Sequence, residues 1–314
     1  MVFNVCFDPK VIEAAAANGP YAMQALIAML RGFSANCVLF DFEDTRLQRR
    51  IRTALNALPL QFDRSEITAL FKRLMKRRFV SVMQDPDWAA PESGDIQHAF
   101  RQAHARGVQL VVTGEQGGAE VPSADLANFQ HTAFERERFS RALNGRVIAT
   151  GELSESEFLT SNFANAFRYA TRIQICDRIL GSFADNFEHT IKVLLRWMEP
   201  ILHNPPACEI TIHCQRVAGR DDHLCHMVRS FRFGRLAQTV TKVAFYENPA
   251  GRHALPHDRY IWTDQFAFDI GRGMDFLDRE TRRNRDVSIN LKSVSEVTAA
   301  MAHFAGMRTE TREL

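Results

Sequence analysis

Long hydrophobic runs are absent from this sequence of 314 residues. A helix that spans a bilayer needs about 20 consecutive apolar residues, so no transmembrane segment is expected. The first residues also lack the charged lead and apolar core of a secretory signal. The six cysteines lack the spacing of a disulfide scaffold. We therefore expect a protein of the reducing cytoplasm.

A strong charge imbalance, low-complexity tracts and internal repeats are absent as well. The formal net charge is only +2, while 46% of the residues are hydrophobic and 24% are charged. These proportions are ordinary for a folded globular protein and exclude the disordered and fibrous classes. The small net charge hides two basic clusters, at residues 72–78 and 279–285, which either face solvent or contact phosphates.

The chain length fits two domains of about 150 residues each. In residues 1–125, strand-like and helix-like patterns alternate, which predicts an N-terminal Rossmann-like α/β domain. The strands are expected at 3–7, 36–40, 79–83 and 108–113, and the helices at 21–33, 46–58, 65–78 and 95–106.

Residues 126–150 are polar and charged, and we expect them to form a connector with one Glu- and Arg-rich helix at about 134–143. The alternating pattern then resumes, so that residues 151–314 predict a second α/β domain. Its strands are expected at 172–176, 209–215, 241–246, 266–270 and 287–291, and its helices at 158–169, 183–202, 222–233 and 295–304.

The most informative motif is a set of residues at fixed spacing: His257, Asp258, Arg259, Asp264, Gly271, Arg272 and Gly273. Four residues separate Arg259 from Asp264, and six separate Asp264 from Gly271. This spacing resembles the phosphate-binding motif of the phospholipase D superfamily. The sequence departs from that motif where Arg259 replaces the usual Lys and Met274 replaces the common Asn.

The longer strings HDRYIWTDQFAFDIGRGMDF and TRIQICDRILGSFADNF resemble one branch of that superfamily. This branch comprises the phospholipase D-like C-terminal domain of microtubule-interacting-and-trafficking domain proteins and its bacterial relatives. The resemblance covers roughly residues 155–305. It implies a fold of the same α/β type and a pocket that binds phosphate.

The resemblance implies a role for each residue of the motif. His257 would attack phosphorus or bind phosphate, Arg259 would clamp the phosphate oxygens, and Asp264 would orient the imidazole. No metal is required at such a site. Additional phosphate contacts are expected from the glycine turn and from the end of the predicted strand 172–176, namely Gly271, Arg272, Gly273, Asp177 and Arg178.

Hydrolysis through a phosphohistidine also needs a second histidine as general acid for the leaving group. The sequence contains one copy of the motif, so a homodimer would have to supply the second histidine. The alternative is a non-catalytic module that binds a phosphate of nucleic acid or of an anionic lipid. A chance occurrence of these residues on an ordinary pair of strands also stays open.

Acidic residues at predicted strand ends indicate a second site in the N-terminal half. Asp8 and Asp41 follow strands, Asp95 opens a helix, and Glu115 follows the strand 108–113. Such oxygen ligands suit Mg²⁺ or Mn²⁺, which would activate water on a phosphodiester. The segments FDPKVI and GVQLVVTGEQ resemble parts of a PIN-type ribonuclease domain, with Glu115 in place of the usual Asp. The alternative is that these acids only cap helices or face solvent.

A group of cysteines and histidines lies within residues 208–226: Cys208, His213, Cys214, His223, Cys225 and His226. The group contains no Cys-x-x-Cys pair, and His213 and Cys214 would point to opposite faces of a strand. We expect buried cysteines here rather than a zinc site.

These features together predict a nuclease or phosphodiesterase that acts on nucleic acid, built from a PIN-like and a phospholipase D-like domain. Such pairs resemble effectors of bacterial antiviral defence systems, which implies partner proteins from a defence operon. A phosphate-binding module without catalytic activity is the alternative.

Overall fold

The structure is a computed structural model, and it describes residues 1–42, 46–59, 64–76, 79–81, 101, 103–105, 107–113, 122–149, 151–180, 185–250, 254–271 and 286–314. The chain forms two compact units, Val2–Ala142 and Leu143–Leu314, the second of which includes Met1. The division falls within the segment 126–150 that we expected to be a connector. This segment contains the expected helix, at Ala133–Asn144, and a strand that we did not predict, at Arg146–Ile148. Both units combine helices with strands, which confirms the α/β fold class.

The described part of the N-terminal unit contains a sheet of five parallel strands. These are β1 (Phe3–Phe7), β2 (Cys37–Phe42), β3 (Phe79–Ser81), β4 (Leu110–Val112) and β5 (Ser123–Ala124). Their order is β3-β2-β1-β4-β5, and Val5 of β1 lies opposite Leu39 on one side and Leu110 on the other. A first strand at the centre of a parallel sheet is the arrangement of doubly wound α/β proteins.

The helices of this unit whose bounds lie in the described residues are α1 (Lys10–Ala17), α2 (Pro20–Asn36), α3 (Arg46–Ala57), α4 (Arg64–Lys76) and α5 (Ala133–Asn144). We did not predict α1, because its apolar run is too short to show a clear helical period. Gly19 separates α1 from α2 with a φ of 88°, and Pro20 begins α2 at a position where a missing amide proton costs nothing. Aromatic rings fill the core, and those of Phe7 and Phe71 meet edge to face at 5.1 Å.

The sheet of the C-terminal unit has eight strands in the described residues. These are β6 (Arg146–Ile148), β7 (Arg172–Cys176), β8 (Glu209–Gln215), β9 (Val240–Tyr246), β10 (Tyr260–Thr263), β11 (Ala267–Ile270), β12 (Val287–Lys292) and β13 (Arg308–Glu313). Their order is β13-β9-β8-β7-β10-β11-β12-β6. The strands β7, β8 and β9 are mutually parallel, and every other pairing is antiparallel. We did not predict β6 or β13.

In the described residues of the C-terminal unit, the α-helices are α6 (Glu155–Phe167), α7 (Asp185–Ile201), α8 (Asp221–Phe231) and α9 (Val294–Ala302). The crossover from β7 to β8 contains α7, and that from β8 to β9 contains α8, as parallel strands require. The helix α9 contributes Val297 and Met301 to an apolar cluster that includes Tyr246 and Trp262.

One edge of this sheet is the place where the carboxyl ends of β7, β8 and β9 meet. The antiparallel strand β10 begins at the same edge, because Tyr260 lies opposite Cys176. Ligands of α/β proteins commonly bind beyond the carboxyl ends of parallel strands. The topology therefore brings the residues before β10 to an edge that suits ligand binding.

Candidate phosphate-binding site

Asp177 and Arg259 are brought together at the carboxyl edge of the C-terminal sheet. Asp177 directly follows β7, and Arg259 directly precedes β10. Arg259 Nε donates to Asp177 Oδ1 at 3.3 Å. The side chain of Asp177 is 2% exposed and that of Arg259 is 13% exposed, so the ion pair is largely removed from water. Its two partners stand 82 positions apart in the sequence.

The environment of this pair holds the carboxylate firmly and leaves part of the guanidinium available. Asp177 Oδ1 also accepts a hydrogen bond from the backbone N–H of Ile179 at 3.0 Å. The ion pair uses Nε of Arg259, and within the described residues no second side chain binds this guanidinium. Both Nη groups can therefore donate to an anion, in the fork geometry that suits phosphate.

His257 is solvent-exposed and lies two positions before Arg259. Between them, Asp258 accepts a hydrogen bond from the Tyr260 hydroxyl at 3.2 Å. Burial of Tyr260, together with the neighbouring Asp258 carboxylate, raises the pKa of that hydroxyl to about 12. The phenol is protonated at neutral pH and is the donor in this hydrogen bond.

Gly271 stands at the same edge, because the backbone N–H of Ile270 donates to the carbonyl of Arg259 at 2.8 Å. A Cβ atom at Gly271 would lie 2.5 Å from Oγ of Ser288, so a larger residue here would require the Ser288 hydroxyl to move away. The next two predicted phosphate contacts, Arg272 and Gly273, lie outside the described residues. Arg178 is half-buried, and its carbonyl accepts from the backbone N–H of Gln215 at 3.2 Å.

Asp264 does not lie beside Asp177, Arg259 and His257, whereas we expected it to orient the imidazole of His257. It follows the far end of β10, where its Oδ1 accepts from the backbone N–H of Thr171 at 3.0 Å. A strand of four residues spans about 13 Å. Asp264 is only seven positions from His257 in the sequence. The extended strand β10 lies between them, so Asp264 lies at the opposite edge of the sheet. The carboxylate beside Arg259 is Asp177.

The N-terminal sheet has its own carboxyl edge, where two of the predicted metal ligands lie. Asp8 and Asp41 are each 2% exposed and belong to the ends of the neighbouring strands β1 and β2. Asp8 Oδ1 accepts from the backbone N–H of Lys10 at 2.9 Å, and Thr113 Oγ1 donates to Asp8 Oδ2 at 3.4 Å. Burial raises the pKa of the Cys6 thiol, and the charges of Asp8 and Asp41 raise it further.

The donor type at this edge fits a hard divalent cation, because carboxylate and hydroxyl oxygens are ligands that Mg²⁺ and Mn²⁺ accept. The other two predicted ligands, Asp95 and Glu115, lie outside the described residues. In the part of the chain that is described, no three His, Cys, Asp or Glu side chains converge as a metal site would require.

The cysteine and histidine group between residues 208 and 226 does not converge on one point either. Cys214 is buried, and its thiol lies 3.9 Å from the carbonyl of Ala244. His213 projects to the other face of β8, where Nδ1 is 2.8 Å from the Tyr246 hydroxyl and Nε2 is 3.0 Å from Gln174 Oε1. The ring of Trp262 stacks on His213 at 5.4 Å. We did not predict the cluster of His213, Tyr246, Gln174 and Trp262, because its residues come from four different strands and no local sequence pattern indicates their contact.

No protein-family model matches this sequence, and none of the curated proteins compared with it does. Among the helices that the structure describes, none is both long and apolar enough to cross a bilayer.

Proposed function

We propose that the C-terminal unit binds a phosphate of nucleic acid at the edge formed by Arg259, Asp177 and His257. The observation that carries this proposal is the buried Arg259–Asp177 pair, which anchors a guanidinium through Nε while both Nη groups stay available. Arginine held in this way presents two parallel donors, which match two oxygens of one phosphate. The resemblance to the phospholipase D-like branch agrees with a phosphate ligand.

The same geometry favours binding over covalent hydrolysis at this edge. A phosphohistidine mechanism needs one histidine to attack phosphorus and a second acid to protonate the leaving oxygen. His257 has no second histidine-arginine pair beside it in the described residues, and Asp264 lies at the other end of β10. His257 is therefore proposed as an additional phosphate ligand.

The binding proposal is tested by fluorescence anisotropy with labelled single- and double-stranded DNA and RNA. We expect Arg259→Gln to weaken binding about tenfold or more, since a bidentate charged contact is lost. Arg259→Lys keeps a cation beside Asp177 but loses the two parallel donors of the guanidinium, so its affinity should lie between those of the wild type and Arg259→Gln. Arg172→Gln, which removes an exposed cation at the start of β7, is the control. Unchanged affinity in Arg259→Gln, with an unchanged melting temperature, would sink the proposal.

A second candidate function is metal-dependent hydrolysis of the phosphodiester in the N-terminal unit. The observation that favours it is the pair of buried carboxylates, Asp8 and Asp41, at the carboxyl ends of adjacent parallel strands. A divalent cation bound there would polarise a phosphoryl oxygen and lower the pKa of water. The contribution of the chain is to hold the two carboxylates, with Thr113 and the Lys10 amide orienting Asp8 through hydrogen bonds.

The hydrolysis candidate is tested by incubating the purified protein with nucleic acid in Mg²⁺ or Mn²⁺ and following cleavage on gels. We expect Asp8→Asn to reduce cleavage by at least about 100-fold, because the neutral amide binds hard cations poorly. Its affinity for nucleic acid without metal should stay unchanged. Wild-type cleavage by Asp8→Asn, or no cleavage by any preparation of the wild-type protein, would exclude this candidate.

We also propose the remaining features that the sequence predicts. They are the PIN-like and phospholipase D-like assignments, a cytoplasmic location, a homodimer, and a role with partner proteins in antiviral defence. They rest on sequence composition and resemblance.

A further inference from the structure

A second basic surface lies on the helical layer of the C-terminal unit, formed by α7, the end of α8 and the 3-10 turn Gly234–Gln238. It consists of three cations and two aromatic rings: Lys192, Arg196, Arg235, Phe231 and Phe233. We call it the basic-aromatic surface. It shares no residue with the phosphate site at Arg259.

Two cations of this surface lie over aromatic rings. Lys192 Nζ is 5.8 Å from the centroid of the Phe231 ring, and Arg196 Cζ is 5.9 Å from that of Phe233. The two cations are four positions apart on α7, which separates them by about 6 Å along the helix axis. They thus form a short row of positive charges, each above a ring contributed by the neighbouring element.

The charges of the basic-aromatic surface are not neutralised within the described residues. Neither Lys192 nor Arg196 forms an ion pair there, and Arg235 Nη2 donates to the carbonyl of His203 at 2.7 Å. The carboxylate of Glu199 also lies nearby and keeps its charge, but it binds the backbone N–H of Arg235 through Oε1 at 3.1 Å and forms no ion pair with these cations in the described residues. Glu188 lies one turn before Lys192 and is exposed, and no ion pair between the two forms.

An exposed phenylalanine completes the surface. Phe233 is 45% exposed, although burying such a side chain would normally stabilise a protein by about 2 kcal/mol. Aromatic side chains next to Lys and Arg are the usual means of binding single-stranded nucleic acid, in which bases stack on the rings and phosphates contact the cations. A membrane is disfavoured as partner, because Ile191, Leu194 and Leu195 of α7 are buried and leave no apolar face to insert.

From this charge complementarity and the exposed ring, we propose that the basic-aromatic surface binds a single-stranded segment of nucleic acid. Lys192 and Arg196 contact successive phosphates, Phe233 stacks with a base, and Arg235 extends the row of positive charge. The surface supplies affinity without sequence preference, because every base offers a face for stacking.

The proposal is tested by anisotropy with labelled oligothymidine over a series of salt concentrations. The double variant Lys192→Gln and Arg196→Gln should bind about tenfold more weakly. The slope of log affinity against log salt should fall by about 1.4, since each phosphate contact to a single strand contributes about 0.7. Phe233→Leu should weaken binding about fivefold and leave the salt slope unchanged, because stacking releases no counterions.

Controls separate this inference from the proposed function and from a loss of folding. Arg172→Gln removes an exposed cation of the same unit outside the basic-aromatic surface and should bind like the wild type. Arg259→Gln tests the other site, so either site can fail alone. All variants are compared by circular dichroism and melting temperature. Wild-type affinity and salt slope in the double variant would overturn the inference. The inference would also be overturned if the double variant lost affinity for vesicles of phosphatidylcholine and phosphatidylserine but kept its affinity for oligothymidine.

Discussion

His213 is held neutral by its surroundings in the core of the C-terminal unit. Arg308 Nε donates to the Tyr246 hydroxyl at 3.1 Å, and that hydroxyl is 2.8 Å from His213 Nδ1. The consistent assignment is a chain in which Tyr246 donates to Nδ1, and Nε2–H donates to Gln174 Oε1. Burial and, secondly, the Arg308 charge lower the pKa of His213 to about 3.

This neutral histidine should make the stability of the protein depend on pH. The unfolded chain binds a proton near the ordinary pKa of 6.5, whereas the folded chain does not until about pH 3. The stabilisation is therefore fully present above pH 6.5 and is lost as the pH falls from there towards 3. Between pH 7 and pH 5 the loss should be about 2 kcal/mol, measured by urea denaturation.

The variant His213→Gln should abolish this part of the pH dependence, because the group that titrates is gone. His226→Gln, which changes an exposed histidine of α8, should leave the pH dependence in place. Equal slopes in the wild type and in His213→Gln would contradict the assignment of a neutral buried imidazole.

Gly32 packs tightly against the buried side chain of Arg138, which leaves little space for a larger residue at this position. The side chain of Arg138 is 3% exposed, and Glu135 holds it through Nε at 2.5 Å and Nη2 at 2.6 Å. Its Nη1 donates to the carbonyl of Gly32 at 2.8 Å. A Cβ at Gly32 would lie 2.7 Å from Nη2, which these bonds prevent from moving away.

We therefore expect Gly32→Ala to destabilise the protein by about 1 to 2 kcal/mol, from overpacking. The sign is informative, because the same substitution inside a helix normally stabilises by about 1 kcal/mol. Gly306→Ala, at which nothing lies within 4 Å of the new Cβ, is the control and should be neutral or slightly stabilising. Thermal melts of both variants decide the question, and a Gly32→Ala protein more stable than the wild type would refute this account.

At the scale of secondary-structure elements, the helices α6 and α9 each begin with a capping box. Ser154 Oγ accepts from the backbone N–H of Glu157 at 3.3 Å, and the Glu157 carboxylate accepts from the backbone N–H of Ser154 at 2.9 Å. Ser293 and Glu296 repeat this arrangement at α9. The caps satisfy amide protons that no helical carbonyl can reach. They also show why these helices start where they do.

Ser154→Ala should lower the free energy of unfolding by about 1 kcal/mol, the usual cost of losing a cap. A matched substitution, Ser230→Ala, changes a serine inside α8 whose hydroxyl donates to the carbonyl of His226 at 2.8 Å. Such a bond within a helix gives little stability, so Ser230→Ala should be neutral or slightly stabilising. Denaturant titrations compare the two, and similar losses at both positions would mean that the cap has no special role.

At the scale of the whole molecule, the two candidate sites belong to separate compact units. Arg259 and Asp177 lie in the unit Leu143–Leu314, whereas Asp8 and Asp41 lie in Val2–Ala142. Each site is held by the edge of its own sheet. Changes at sites without shared partners are normally additive in free energy.

If both proposed activities hold, the double variant Asp8→Asn and Arg259→Gln should lose cleavage by the product of the two single losses, within about twofold. Arg259→Gln alone should raise KM, and Asp8→Asn alone should lower kcat, because the first residue binds substrate and the second serves the reaction. Steady-state cleavage kinetics measure both. A double variant that is no slower than Asp8→Asn alone would show that Arg259 takes no part in binding the cleaved strand.

The types and approximate positions of the main elements follow from the sequence by itself. The strands β7 and β8 have the predicted bounds, because apolar periodicity and the residues that end a strand act locally. The motif from His257 to Gly271 was visible for the same reason, as were Asp8 and Asp41 at the carboxyl ends of β1 and β2. The edge strand β13 was not, since Arg308–Glu313 alternates charged and polar residues in the manner of a protected sheet edge.

Tertiary structure alone decided which of these residues meet. The antiparallel pairing of β10 with β7 joins Arg259 to Asp177 and carries Asp264 to the far edge. The register of β8 against β9 sets His213 beside Tyr246. The physical reason is that periodicity reports the environment of each segment, whereas strand order and register depend on contacts between segments far apart in the chain.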